Sequence, residues 1–349
     1  MNSDKLSSAE RMRALALRQG LDRVPVNPFA LGWVAPVYGM TCKEYFLEPE
    51  KAFEAQLWAM ETYQYDATPI FNNPNWAGWD FGGVLQFPES MPNTFPTIKK
   101  AVLKADDLEK LTLPDLDTAP GISRMLQFAR LCRAKGYPAS ITSGSVFGIA
   151  ATVMDNDMVF RWLHKDPELA HRIFRLAADY ILKIADRYIE EFGAENCTSF
   201  ATYPLENLLS NKFFEKYSLP YIQEIYSYLV DRGVKKLFIH LCGDHTKKLS
   251  FWQDVKLAPR TIFTIGDDMD IEATAKAIGE DHIIAGNLST QLLFSGRPDQ
   301  VFKESCDIIT KMKDNPGGFI LMPACAMPIE TPPVNVYAML KAARTVGQY

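Results

Sequence analysis

The sequence predicts an α/β protein built as a single (β/α)8 barrel, and three observations support this fold class. From Pro138 onward, short apolar runs alternate with long segments of helical periodicity, which indicates parallel strands joined by crossover helices. The number of apolar runs approaches eight, which favours a closed barrel over an open sheet. No Gly-x-Gly-x-x-Gly motif follows the first apolar run, so a dinucleotide site of the Rossmann type is not expected.

The predicted elements follow the chain in order. Residues 7–20 are predicted to form an N-terminal helical extension, with Ser7 or Ser8 as the cap and Gly20 at the end. The Pro-broken apolar stretch at 21–33 suits a first strand and its loop, a helix follows at 48–62, and a short strand is expected at 65–71. Further strands are predicted at 138–142, 197–202, 236–242, 261–266, 282–285 and 318–322, and helices at 167–192, 211–231, 246–253, 271–278, 298–312 and 331–346.

One segment breaks this alternation. Residues 72–95 contain Pro, Gly and Asn together with bulky aromatic residues and have no sustained period, so a long aromatic-rich loop or a small hairpin excursion is predicted there. The sequence has no internal repeat and no low-complexity linker. We therefore expect one domain over residues 1–349, with an insertion-like loop near 72–95.

Composition and charge exclude several classes of protein. The chain has 349 residues, of which 47% are hydrophobic and 23% charged, and its net charge is −5. There is no basic cluster with interleaved aromatics, so nucleic acid is not expected as a partner. No apolar run approaches the roughly 20 residues of a membrane span. Six cysteines without a Cys-x-x-Cys pair and no apolar signal region predict a cytoplasmic protein without disulfides.

The segment LFIHLCGDH at 237–245 carries the strongest chemical signal. His240 and Cys242 lie two residues apart near the carboxyl end of a predicted strand, so their side chains share one face. Cys325 follows another apolar strand, and the carboxyl ends of barrel strands meet at one mouth. One imidazole and two thiolates suit Zn2+ with a fourth position open, although a hydrogen-bonded core histidine and packed thiols fit the same spacing. His245 is predicted to cap the next helix or to lie in solvent.

These motifs resemble a known family. The HxC at 240–242 and the PxC at 323–325, followed by PIETPPVNVYAMLKAAR, are similar to the zinc motif of the cobalamin-dependent methyltransferases of the uroporphyrinogen decarboxylase superfamily. Further similar segments are ERMRALALRQGLDRVPV at 10–26, FGIAATVM at 147–154 and LLSNKFFEKYSLPY at 208–221. The resemblance covers nearly the whole chain. It implies the barrel, and it implies zinc on His240, Cys242 and Cys325.

The decarboxylases themselves are a poorer match. Their N-terminal signature is rich in arginine that binds the carboxylates of the substrate, whereas residues 27–39 of this chain contain no arginine. The methyltransferase branch implies two alternative chemistries. One transfers methyl from a methyl-corrinoid protein to a thiol such as coenzyme M. The other demethylates small substrates such as aryl methyl ethers of the vanillate type onto the Co(I) of a partner corrinoid protein.

The aromatic loop leads us to expect the aryl-ether reaction, with zinc polarising the ether oxygen. Cobalamin is expected on a separate partner protein, because this chain lacks a DxHxxG motif. A non-catalytic zinc-binding component remains an alternative. Glu206 and Tyr203, which follow the strand at 197–202, are candidate catalytic residues, Glu206 also as a displaceable fourth ligand. The candidate substrate-binding residues are Phe71, Asn72, Asn73, Trp76, Trp79 and Phe81.

Overall fold

Six apolar runs form the wall of a parallel barrel in a computed structural model of the protein, which describes residues 4–87 and 96–349. All six predicted strands from 138 onward are confirmed, with ends that differ by a few residues. They are hydrogen-bonded in sequence order, β3-β4-β5-β6-β7-β8, while β1 and β2 form a separate antiparallel hairpin. The strands are β1 (Val84–Gln86), β2 (Thr97–Lys99), β3 (Ala139–Thr142), β4 (Cys197–Tyr203), β5 (Leu237–Leu241), β6 (Ile262–Ile265), β7 (Ile283–Leu288) and β8 (Phe319–Pro323).

Helices connect successive strands and cover the outside of the barrel. The described helices are α1 (Ser8–Ala16), α2 (Val34–Tyr38), α3 (Cys42–Leu47), α4 (Pro49–Tyr63), α5 (Trp76–Asp80), α6 (Ala105–Leu108), α7 (Pro120–Ala134), α8 (Val146–Val153), α9 (Asn156–Lys165), α10 (Pro167–Phe192), α11 (Asn211–Tyr217), α12 (Leu219–Asp231), α13 (Ile271–Ile278), α14 (Thr290–Ser295), α15 (Pro298–Met312) and α16 (Pro333–Val346). Short 3-10 helices span Ala194–Asn196, Glu206–Leu208 and Thr246–Asp254.

Two irregular segments, the first at residues 21–33 and the second at residues 65–71, complete the barrel between β8 and β3. Residue Val26 forms a parallel bridge with Leu321 of β8, and the Asp66 backbone N–H donates to the Val26 carbonyl at 2.6 Å. Residues 21–33 and 65–71 were predicted to contain strands, but the first segment forms only isolated bridges and the second forms neither a strand nor a bridge. Pro25 and Pro69 lack the N–H that a ladder needs. With them the fold is the predicted (β/α)8 barrel.

The predicted helices are confirmed with three differences. The N-terminal helix ends at Ala16 rather than at the expected Gly20. The helix expected at 211–231 is divided into α11 and α12 at Ser218, because Pro220 lies in the first turn of the second helix. The segment at 246–253 is a 3-10 helix rather than an α-helix. The expected excursion at 72–95 contains α5 and the hairpin of β1 and β2, and its residues 88–95 lie outside the described residues. Across the described ranges, none of the helices combines the length and apolar character needed to cross a bilayer.

Alternation along the strands separates two apolar cores. One set of side chains packs between the barrel wall and the helices. The other set fills the barrel interior and includes Phe29, Phe200, Ala285, Ile320 and Met322. The cross-strand register places Phe200 beside Phe238, Phe238 beside Ile262, and Ala285 beside Ile320, so these side chains share the inner face. Because side chains fill the interior, a functional site is expected at the carboxyl ends of the strands.

A buried ion network attaches the N-terminal helix to the first irregular segment. Arg11 of α1 and Arg23 each donate a guanidinium N–H to Asp66, at 2.6 and 2.7 Å, and all three side chains are almost completely buried. Asp66 also accepts the backbone N–H of Val26 at 2.9 Å, and Arg11 additionally binds Asp22. Two guanidinium groups and one amide converge on Asp66. Its removal therefore leaves these buried N–H groups without that acceptor and reduces the negative charge that balances Arg11 and Arg23, which keep Asp22 and Asp4 as partners.

We therefore expect Asp66→Ala to lower the free energy of unfolding by about 3–5 kcal/mol, because removing one member of a buried ion network leaves its partners without that counter-charge in the interior. Urea denaturation followed by circular dichroism measures this change. Asp281→Ala is the control, because Asp281 pairs with Arg18 in solvent and its loss should change stability far less. Equal effects of the two substitutions would contradict the structural role assigned to Asp66.

Candidate metal centre

His240 enters the site from the inner face of β5. Its register partner on β6 is Thr264, and the His240 Nδ1 atom is hydrogen-bonded to the Thr264 hydroxyl. The ring is 1% exposed, and its Nε2 atom has no hydrogen-bond partner among the described residues. With Nδ1–H donating to Thr264, Nε2 is left with a free lone pair that can bind a metal ion.

Cys242 lies just beyond the end of β5, one pleat above His240. Gly243 follows with φ +73°, a left-handed conformation that favours glycine, and a Cβ there would lie 2.6 Å from the side-chain nitrogen of Asn207. The chain can therefore turn sharply away from the thiol only with glycine at this position. Cys242 remains partly exposed at this turn.

Cys325 comes from the other side of the opening, two residues after β8. The turn that carries it is tied to the first irregular segment, because the Met327 backbone N–H donates to the Phe29 carbonyl at 3.2 Å. The Ala324 backbone N–H donates to the Leu288 carbonyl at 2.8 Å, which joins the same turn to β7. Like Cys242, Cys325 is partly exposed.

The three side chains meet. The imidazole nitrogen of His240 and the sulfur atoms of Cys242 and Cys325 all lie within 4.8 Å of one another. The pattern of residues predicted this grouping, since strands distant in sequence converge at a barrel mouth. Two soft sulfur donors and one imidazole nitrogen are the donor set that zinc prefers.

The two thiols influence each other strongly. A hydrogen bond from Cys242 lowers the pKa of Cys325, and the same contact raises the pKa of Cys242, because a second negative charge would lie beside the first. The nearby His240 imidazole also lowers the pKa of Cys325. A pair of this kind accepts one negative charge readily and opposes a second unless a cation lies between the sulfurs.

Glu206 is the acidic group of the site. It begins the 3-10 turn after β4, is completely buried, and its Oε1 atom has no hydrogen-bond partner within the described ranges. Burial raises the pKa of Glu206 to about 7, and its negative charge contributes to the raised pKa of Cys242. A buried carboxyl group with an unpartnered oxygen and a pKa near neutrality suits proton transfer.

The Tyr203 side chain points outward from the barrel, toward the surrounding helices. Its hydroxyl donates to the hydroxyl of Tyr226 at 3.1 Å, and its ring packs edge-on against Trp252, so the side chain lies among the outer helices. The residue is 4% exposed. Sequence reasoning placed Tyr203 beside Glu206 at the mouth, but the alternation of β4 directs odd-numbered residues outward. A substrate role for Tyr203 has no support in these contacts.

The aromatic residues expected to bind substrate form part of the outer core. Phe71 stacks on Phe128 of α7 with ring centroids 4.9 Å apart, and Trp76 is 4.6 Å from Phe71 and 2% exposed. Phe81 packs against Tyr180 of α10. These contacts are those of a packed core and do not support the expected substrate wall. Their aromatic character serves the packing of α5 against α7 and α10.

The remaining loop residues make local or surface contacts. Trp79 lies under the guanidinium group of Arg124, 5.1 Å from it. Asn73 is buried and its Oδ1 accepts the backbone N–H of Asn75 at 2.9 Å. Asn72 is partly exposed. These contacts give no basis for assigning the three residues to a substrate pocket.

Three residues of the site were missed or misplaced by sequence reasoning. Thr264 orients His240, and only the register of β5 with β6 reveals it. Phe29 has φ +50°, and its ring packs edge-on against His240 at 5.5 Å. His245 is not in solvent but 1% exposed, and burial lowers its pKa to about 4. Its Nε2–H is directed at the backbone carbonyls of Tyr203 and Cys242.

The chain is similar in sequence to proteins of one known family. The family model described as uroporphyrinogen decarboxylase (URO-D) matches residues 7–346, and the chain belongs to that family. The methylcobamide:CoM methyltransferase MtbA of Methanosarcina mazei is 26% identical over 250 residues, covering 71% of this chain and 70% of the relative. A uroporphyrinogen decarboxylase of Paraburkholderia phytofirmans is 25% identical over 348 residues, covering 90% and 88%.

A solved structure supports the fold independently. The structure described as a methyltransferase from Methanosarcina mazei superposes with a TM-score of 0.80 at 19% identity, covering 97% of this chain and 99% of the other. At this level of identity the likeness shows the barrel fold. The family and the fold are thus those that the resemblance implied.

Asp80 ties the aromatic segment to two helices. Its carboxylate accepts the backbone N–H groups of Gly121 and Ile122 at the start of α7, at 2.5 and 3.0 Å, and the Tyr180 hydroxyl at 2.5 Å. Burial raises the pKa of Asp80 to about 6, against the opposing effect of these hydrogen bonds. Between about pH 4 and 6 the folded chain retains a proton on Asp80 that the unfolded chain has released.

Stability should therefore fall as pH rises from about 4 to 6, with about 1–3 kcal/mol of that fall due to Asp80. Asp80→Asn should remove this part of the slope, whatever its effect on absolute stability. Guanidinium denaturation at several pH values in this window measures it, and Asp117→Asn, at an exposed ion pair with Arg187, is the control. An unchanged slope in Asp80→Asn would rule out the assigned titration.

Proposed function

We propose that this chain is a zinc-dependent methyltransferase that moves a methyl group from a methylated corrinoid protein to a small thiol. The observation that carries the proposal is the meeting of His240, Cys242 and Cys325 within 4.8 Å at the carboxyl end of the barrel. Membership of a family that includes a methylcobamide:CoM methyltransferase supports it.

The residues present fit zinc by their chemistry. His240 offers a buried Nε2 without another partner, held in orientation by Thr264, and the two sulfurs approach it from β5 and β8. Three protein donors leave a fourth position for a substrate sulfur, as in catalytic zinc sites. Zinc bound there would supply Lewis acidity that lowers the pKa of a thiol acceptor and keeps its sulfur nucleophilic.

Glu206 is the proposed proton acceptor, and it is also a candidate fourth ligand that the substrate displaces. Transfer breaks the cobalt–carbon bond of the donor and forms a carbon–sulfur bond, and the thiol proton must leave the site. The unpartnered Oε1 of Glu206 is available for that proton, and its pKa of about 7 allows both uptake and release. Phe29, packed against His240, excludes water from the inner side of the ligands.

The aryl-ether reaction is the weaker candidate. It was favoured only by the aromatic residues of the segment at 71–81, and Phe71, Trp76 and Phe81 lie in the outer core instead. A compact acceptor such as a thiol needs no aromatic wall. The thiol reaction therefore becomes the leading proposal, with cobalamin carried by a separate partner protein.

Exposed apolar side chains near the mouth suit such a partner. Leu208, in the turn that Glu206 begins, is 64% exposed, and Phe294 of α14, which follows the carboxyl end of β7, is 40% exposed. Large apolar side chains exposed beside a site are typical of protein contact surfaces. A corrinoid protein docking there would bring its cobalt over the three ligands.

The proposal predicts one zinc per chain and methylation of a thiol by a methyl-corrinoid donor. Cys242→Ser and Cys325→Ser should lose zinc and reduce the rate at least about a hundredfold, because each removes a ligand. Metal analysis and the absorbance change of the corrinoid on demethylation measure the two effects. Cys306→Ser is the control, since Cys306 lies on α15 and should keep both zinc and activity.

Other outcomes distinguish the alternatives. If the protein demethylates aryl ethers onto Co(I) but methylates none of a panel of thiols, coenzyme M included, the thiol proposal is wrong. Release of carbon dioxide from uroporphyrinogen would restore the decarboxylase interpretation. Zinc bound stoichiometrically without any methyl transfer would identify a non-catalytic zinc protein.

A further inference from the structure

His245 is a buried histidine that the proposed reaction does not use. It is 1% exposed and lies between Gly243 and the 3-10 helix Thr246–Asp254. Its Nε2 atom is 3.0 Å from the carbonyl oxygen of Cys242 and 3.2 Å from that of Tyr203. Both neighbours are hydrogen-bond acceptors, so Nε2 carries the proton and donates it to the two carbonyls together.

The two carbonyls belong to different strands. Tyr203 is the last residue of β4, and its register partner is Leu241, the last residue of β5. The ladder between these strands ends at that pair, and Cys242 is the first residue beyond it. The imidazole of His245 therefore continues the connection between β4 and β5 by one residue, at the residue that carries a candidate zinc ligand.

The surrounding turn confines the same segment. A Cβ on Gly243 would lie 2.6 Å from the Asn207 side-chain nitrogen, and a Cβ on Gly266 would lie 2.8 Å from the Gly243 carbonyl oxygen. The turn is thus held between the loop after β4 and the end of β6. With φ +73° at Gly243, the chain reverses so that the side chain of residue 245 reaches back to the carbonyl of residue 242.

We propose that His245 is a positioning residue of the metal centre, holding the Cys242 backbone against β4 so that its sulfur keeps the spacing that ligation requires. It is not a ligand in this arrangement, because its Nε2–H is directed at two carbonyls and the three grouped donor atoms belong to other residues. The inference rests on the proposed zinc site. It also places Glu206, three residues after Tyr203, at a fixed distance from Cys242.

A purely structural role for His245 makes a different prediction. If the ring only stabilised the turn, its loss would lower the thermal midpoint while zinc bound by the remaining folded protein dissociated at the normal rate. If it positions Cys242, the zinc centre itself changes. Rates of zinc release and the spectrum of a substituted metal therefore separate the two roles.

The test uses three variants of the full chain. His245→Phe keeps the ring and removes the N–H, and His245→Gln restores an N–H at the position of Nε2. His282→Phe is the control, because His282 precedes β7 at the opposite end of the barrel and also has a half-buried ring. Zinc release to a chromophoric chelator and the visible spectrum of the Co2+-loaded protein are measured below the thermal midpoint of each variant.

We expect zinc release from His245→Phe to be about 10–100 times faster than from the wild type, with an altered Co2+ spectrum, because loss of a supporting hydrogen bond weakens metal binding on this scale. His245→Gln should recover most of the wild-type rate, and His282→Phe should match it. The inference would be overturned if His245→Phe released zinc at the wild-type rate, or if His245→Gln released zinc as fast as His245→Phe.

Failure of this inference differs from failure of the proposed function. If the wild type transfers methyl and His245→Phe releases zinc at the wild-type rate, only the role of His245 is overturned. Fast release from His245→Phe in a protein that binds zinc but methylates no thiol supports the role of His245 and overturns the proposed reaction. A wild-type chain that takes up neither Zn2+ nor Co2+ overturns both.

Discussion

The parallel register of β5 against β6 determines the direction of His240, and the site depends on that direction. Thr202, His240 and Thr264 occupy neighbouring positions on the inner face of β4, β5 and β6. A shift of one residue would turn His240 outward into the helices and bring Leu241 inside, since side chains alternate along a strand. The hydrogen bond to Thr264 then selects which ring nitrogen faces the thiols.

The positions of the other residues of the centre are defined relative to β5. Cys242 lies one pleat above His240, the turn at Gly243 directs the chain away, and Cys325 arrives from β8 through a turn tied to Phe29. The candidate ligands come from strands that are not neighbours in the wall, so the closure of the barrel is itself a requirement of the site. The buried network of Arg11, Arg23 and Asp66 joins the two irregular wall segments to each other and to α1, and so contributes indirectly to the same geometry.

Sequence patterns predicted most of the fold and the grouping of the three candidate ligands. Six strands and the long helices were visible because apolar periodicity in a parallel barrel is strong. The two Pro-containing segments were predicted as strands, but the structure forms only isolated bridges in the first and no strand in the second, because apolar periodicity does not reveal missing N–H groups. His240, Cys242 and Cys325 were identifiable from their places at strand ends.

The errors have a common physical origin. Thr264 and His245 act through contacts between elements distant along the chain, and no local pattern reports the partner of a side chain. Trp76 and Phe71 were assigned to substrate because large rings in an irregular segment suit either a binding wall or a packed core. Only the position of α7 and α10 decides between these, and it places the rings in the core. Tyr203 shows the same limit, since its outward direction follows from where β4 ends.

The centre itself can be observed most directly by X-ray absorption at the zinc edge of the purified protein. We expect zinc coordinated by two sulfur atoms at about 2.3 Å and at least one nitrogen at about 2.0 Å, the distances of thiolate and imidazole ligands. Addition of a thiol acceptor should raise the number of sulfur neighbours from two to three, because the fourth position is open to substrate. A spectrum with only oxygen and nitrogen neighbours, or no zinc in the protein, would contradict the proposed centre.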